Sequence, residues 1–62
     1  MKLWKLIGAR SEKGLSQQDM ANVIGISKGN YYSKENGIKE FKISEINTIL
    51  KLLNKTYEEI FK

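Results

Sequence analysis

Apolar positions along the chain recur at helical spacing, and each run ends at a glycine or asparagine. Leu3, Leu6 and Ile7, with Arg10 on the same stripe, predict a first helix over residues 2–13 that stops at Gly14. Met20, Val23 and Ile24 fall on one face of a second helix, which begins at Ser16 and stops at Gly25. A third should run over 28–36, with Gly37 past its end. The longest stripe, Ile43, Ile46, Ile49, Leu50 and Leu53, predicts a fourth helix over 43–53 with a left-handed stop at Asn54. Ile60 and Phe61 belong to a short fifth. The order is helix, helix, helix, loop, helix, helix, an all-α layout with residues 37–42 as the loop.

Polar residues supply the starts. Ser16 is placed to cap backbone N–H groups, with Asp19 at the capping-box position and Leu15 set to staple against Met20. Ile26, Ser27 and Tyr31 repeat that grammar. Thr56 and Glu59 form another box ahead of the last helix. The fourth helix breaks the rule. Phe41 and Ile46 are spaced as a staple and Glu45 sits at the box position, but the cap itself would be Lys42, which accepts no hydrogen bond. A start at Ser44 is the alternative.

The third helix divides into two faces. Tyr31, Lys34 and Glu35 point inward, towards the second helix. Gly29, Tyr32, Ser33 and Asn36 point outward with Lys28 beside them. The outward face is hydrogen-bonding and almost uncharged, and its residues are weak helix formers. Asn, Ser and Tyr of this kind suit base edges and phosphate oxygens; a plain solvated face is the competing reading. Arg10, the one arginine among eleven basic residues, lies on an inward stripe. A guanidinium there calls for a buried carboxylate, and Glu35 is the partner it implies. Trp4 is expected at the edge of the core, Gly8 at a close helix contact, and Phe41 as a plug beneath the loop.

Composition narrows the classes. Sixty-two residues suit one domain, 1–62, whose core supplies only about 3–5 kcal/mol. The absence of cysteine and histidine leaves no disulfide, no common zinc site and no usual general base, so no metal, cofactor, small-molecule ligand or enzyme activity is expected. No signal peptide or membrane span is visible, which makes the cytoplasm the default and a membrane role unexpected. The net charge of +4 favours a polyanionic partner. Lys39 and Lys42, on the loop, can reach phosphates.

The run Lys13-Gly14-Leu15-Ser16-Gln17, then Ala21, Gly25-Ile26-Ser27 and Glu35-Asn36-Gly37, with Arg10 before it and Leu53-Asn54 and Glu59-Ile60-Phe61 after, resembles the repressor/Cro-type (XRE-like) helix-turn-helix family over nearly the whole chain. The resemblance implies a compact five-helix, lambda-repressor-like DNA-binding domain with its helix-turn-helix at the second and third helices. It implies that Lys28, Gly29, Asn30, Tyr32 and Ser33 face the major groove, and that Ser16, Gln17, Ser27, Asn36, Lys39 and Lys42 meet phosphate. It implies a double-stranded operator as partner and a homodimer that forms on its own or only on DNA. Leu50, Leu53, Tyr57, Ile60 and Phe61 are the candidate dimer contacts. Two positions depart from the family pattern. Lys34 stands where an apolar or aromatic residue is usual, and Phe41 where proline is usual. Both departures, and an ending at the DNA-binding domain, look like short phage Cro-like regulators. Gly29 leaves one common base-reading position without a side chain, so specificity would rest on Lys28, Tyr32 and Ser33. The alternative class is a protein-interaction module, such as an anti-repressor or the antitoxin of a toxin pair.

Overall fold

Each helix starts where a carboxylate or hydroxyl closes its first turn, with one exception. In the computed structural model, which describes residues 1–62, the helices are α1 (Trp4–Glu12), α2 (Gln17–Ile24), α3 (Lys28–Glu35), α4 (Ile43–Leu53) and α5 (Tyr57–Phe61). The Ser16 hydroxyl accepts from the Asp19 N–H at 3.0 Å, and the Asp19 carboxylate accepts from the Ser16 N–H at 2.8 Å. That second bond holds the Asp19 carboxyl below its ordinary range. Ser27 caps α3 through Asn30, and Thr56 caps α5 through Glu59. At α4 the start is Lys42, not Ser44. Only the return half of a box forms there, with Glu45 Oε1 accepting from the Lys42 N–H at 2.8 Å. The exception is α1, whose N-cap Leu3 offers no side-chain bond. This helix is two residues shorter at its start than its apolar stripe suggests, and α3 ends at Glu35, leaving Asn36 as its C-cap.

The turn between α2 and α3 needs a left-handed residue, and Gly25 supplies it at φ 86°. Its N–H and that of Ile26 both bond the Ala21 carbonyl, so the two helices are joined with no slack. Gly37, at φ 77°, turns the chain out of α3. The Leu3 N–H donates to the Glu35 carbonyl at 3.0 Å, tying the N-terminal segment to the end of α3.

Leu6, Met20, Ala21, Tyr31, Ile49, Leu53 and Ile60 form the core, one to two from each helix. Phe41 bridges it to the loop, its ring 5.9 Å from Tyr31 and 5.8 Å from Phe61. Four expectations from the sequence are corrected here. Val23 is 49% exposed and Ile43 is 78% exposed, because the stripes of α2 and α4 extend further than the helices packed on them. Trp4 is 67% exposed and lies under the Lys2 ammonium instead of at the core edge. A Cβ at Gly8 would meet nothing within 4 Å, so no close packing explains that glycine. No helix is long and apolar enough to cross a membrane.

Candidate nucleic-acid interface

The site is built from the buried side of α3 outward. Glu35 is 1% exposed, and a carboxylate so placed is tolerable only if its oxygens are satisfied. Four donors converge on it. Arg10 Nε reaches Oε2 at 2.8 Å and Arg10 Nη2 reaches Oε1 at 3.2 Å, a forked pair. The Tyr31 hydroxyl donates to Oε2 at 2.6 Å, and Gln17 Nε2 donates to Oε1 at 3.0 Å. Burial alone would raise the Glu35 pKa, but the bonds from Arg10, Tyr31 and Gln17 outweigh it and hold the carboxyl below its ordinary range. Burial and the bond to Glu35 push the Tyr31 hydroxyl far up, so it stays a donor. Arg10 Nη1 also donates to the Leu15 carbonyl at 2.9 Å. One guanidinium therefore connects α1, the turn before α2, and the end of α3.

A second buried pair lies on the inner face of α3, beyond what the sequence reading predicts. Lys34 Nζ donates to Glu45 Oε1 at 2.7 Å, with both side chains about a tenth exposed or less. Its ammonium also lies 6.0 Å from the Phe41 ring centre. Glu45 Oε1 thus serves the start of α4 and the inner face of α3 together. The sequence carries only part of the signal: an inward lysine beside an inward glutamate requires a second acid but does not say which one. The capping role of Glu45 does not by itself point to this pair. No buried side-chain nitrogen or oxygen is left without a partner.

With its inner face fixed, α3 turns the other face to solvent. Lys28, Gly29 and Asn30 are exposed on the first turn, and Tyr32 is 51% exposed. Ser33 is half-buried, and its carbonyl accepts from the N–H groups of Ile38 and Lys39. Asn36 is half-buried, its amide donating to the Tyr32 carbonyl at 2.8 Å. Ser16 and Ser27 are exposed but use their hydroxyls as caps. Gln17 is only half-buried, yet its amide N–H is engaged by Glu35. Lys42 is exposed, and Lys39 Nζ donates to Asn30 Oδ1 at 2.9 Å. The loop thereby returns beside the first turn of α3, a contact that sequence spacing did not signal.

The dimer-contact set divides. Leu53 and Ile60 are buried in the core, so neither offers a surface to a partner. Tyr57 is half exposed, and Leu50 and Phe61 are half-buried. No group of His, Cys, Asp and Glu side chains is clustered as metal ligands would be.

Two adjacent helices joined by a glycine turn, the second presenting a polar face, define a helix-turn-helix protein. A helix-turn-helix family profile matches residues 8–60, and the chain belongs to that family in its XRE-like form. It is a DNA-binding helix-turn-helix regulator. Searches of curated proteins and of solved structures give no match.

Proposed function

We propose that residues 1–62 act as one sequence-specific, double-stranded-DNA-binding domain of a Cro-like repressor, phage or prophage in type, working in the cytoplasm. The observation that carries the reading is the division of α3. Every charged group on its buried side is neutralised by a partner, while Lys28 and Tyr32 are exposed on its outer side and Asn30, held by Lys39 at its side-chain oxygen, keeps its amide N–H groups free. The N-terminal residues of a recognition helix are those that meet base edges. Lys28 donates to guanine, Tyr32 packs on a thymine methyl, and Asn30 and Ser33 hydrogen-bond to bases. Gly29 lets the backbone approach the groove. Ser16, Gln17, Ser27, Asn36, Lys39 and Lys42 ring this surface as phosphate contacts. For Gln17 this means sharing its second amide N–H, since the first serves Glu35. Two copies bind a partly palindromic operator with half-sites about 10 base pairs apart, the dimer forming at the latest on DNA and using Tyr57 with Leu50 and Phe61.

Selection from random duplex DNA followed by sequencing tests this. A repeated half-site is expected. Affinity for it should fall with salt at a log–log slope of about −0.9 per phosphate contact. If no motif emerges and retention is independent of sequence, the base-reading role is wrong.

A further inference from the structure

We infer that Lys39 sets which base Asn30 reads, by occupying the carbonyl of its side-chain amide. The inference rests on the reading of α3 as the base-contacting helix. An asparagine on a recognition helix has two ways to meet a base edge. With oxygen and nitrogen both free, it pairs with adenine, accepting from N6–H and donating to N7. With only its N–H groups free, it can meet acceptors alone.

Lys39 works against the first option, because a charged donor already holds one of the two lone pairs of that oxygen and an adenine N6–H must compete with it. Its Nζ lies 2.9 Å from Asn30 Oδ1. Which end of the amide faces the lysine is fixed by chemistry, because an ammonium has donors only and must face the oxygen. The amide NH2 is left pointing away. The contact is also prepared by the backbone. Gly37, at φ 77°, reverses the chain at the end of α3, and the Ile38 and Lys39 N–H groups both bond the Ser33 carbonyl, at 2.8 and 3.2 Å. Ser33 lies one turn along the helix from Asn30, so the Lys39 stem runs back beside α3 to the first turn. Residues 37–39 are thus held where the ammonium meets Asn30. Only one of the three Lys39 N–H groups is used there, and the other two remain for a phosphate oxygen. Lys39 can therefore contact the backbone of the duplex and at the same time hold the Asn30 amide with its oxygen turned to the lysine and its NH2 outward, a bias towards donating.

In the wild-type protein, the base facing Asn30 should carry an acceptor in the major groove, guanine or thymine ahead of adenine. Cytosine, which offers a donor there, should be rejected. Selection from random duplex DNA with the wild type, Lys39→Met and Asn30→Ala tests this, after circular dichroism has established that each variant melts as the wild type does. Both substitutions lie on the surface, so folding should survive. Asn30→Ala should flatten one position of each half-site. At that same position, Lys39→Met should raise adenine relative to guanine by about fivefold or more, the low end of what a two-bond adenine contact is worth. If Asn30→Ala flattens a position and Lys39→Met weakens binding without changing preference there, the inference is overturned and the base-reading role of α3 stands. If Asn30→Ala flattens no position although a motif is selected, Asn30 reads no base and the inference falls with that assignment. If the wild type selects no motif, the proposed function itself fails.

Discussion

The two faces of α3 are built from opposite materials. The inner face carries Tyr31, Lys34 and Glu35, all buried, and no polar side-chain atom there lacks a partner: Glu35 is met by Arg10 of α1, Gln17 of α2 and its own helix's Tyr31, and Lys34 by Glu45 of α4. The outer face carries Lys28, Gly29, Asn30 and Tyr32, whose contacts to the body of the protein are few. Weak helix formers fill this segment, so its local preference does not hold it in shape. The fixed inner network substitutes for propensity. Residues on the outer face can then be chosen for what they touch outside the protein, at little cost to the fold.

Substitutions on the inner face should cost the most stability. Arg10→Ala strips the forked partner from a carboxylate that is 1% exposed, and should cost about 3–5 kcal/mol. In a domain of this size that leaves little or no folded protein at 25 °C, as urea unfolding would record. A loss below about 1 kcal/mol would mean that Glu35 relaxes into water and that the inner network does not hold α3.

Lys34→Met should cost about 1–3 kcal/mol by leaving Glu45 unpaired at the start of α4. The double variant Lys34→Met/Glu45→Leu should recover part of that loss, because a buried pair replaced by apolar groups is often neutral. Recovery is limited by the lost bond from the Lys42 N–H. No recovery at all would show that the α4 cap, not the ion pair, was the larger contribution.

Acid should act on the same two carboxylates. Both Glu35 and Glu45 are held below the ordinary value of 4.5, burial opposing and hydrogen bonds from their partners prevailing. A group depressed on folding stabilises above its unfolded value, and that contribution is lost as pH falls through the folded one. The melting temperature should therefore be level above about pH 5 and drop progressively below pH 4.5. The drop should be shallower in Lys34→Met, where the Glu45 carboxyl loses the bond that lowers it. A melting temperature unchanged down to about pH 3 would contradict the ionised pairs.

The smallest effect on stability belongs to the outer face. Tyr32→Ala should shift unfolding by no more than about 0.5 kcal/mol. It should nonetheless weaken binding to a selected operator by about 1–3 kcal/mol, while random DNA is bound as before. Equal weakening on both duplexes would reduce Tyr32 to a general contact and blunt the distinction between the faces.

What could be read from residues alone was whatever closes within one or two helical turns. Ser16 with Asp19, Ser27 with Asn30 and Thr56 with Glu59 are three residues apart, so helix geometry brings them together in any fold. The left-handed stops at Gly14, Gly25, Gly37 and Asn54 follow from the same local accounting. The Arg10–Glu35 pair, 25 residues apart, was legible for a different reason: a lone inward guanidinium permits few partners. Tertiary structure alone decided how far each apolar stripe is covered. It left Trp4, Val23 and Ile43 in solvent and enclosed Leu53 and Ile60, because periodicity fixes a direction around a helix and says nothing of what stands opposite. It also decided the bonds of Lys34 to Glu45, Gln17 to Glu35 and Lys39 to Asn30. Long polar side chains have many acceptors within reach, and only the placement of neighbouring backbones selects one.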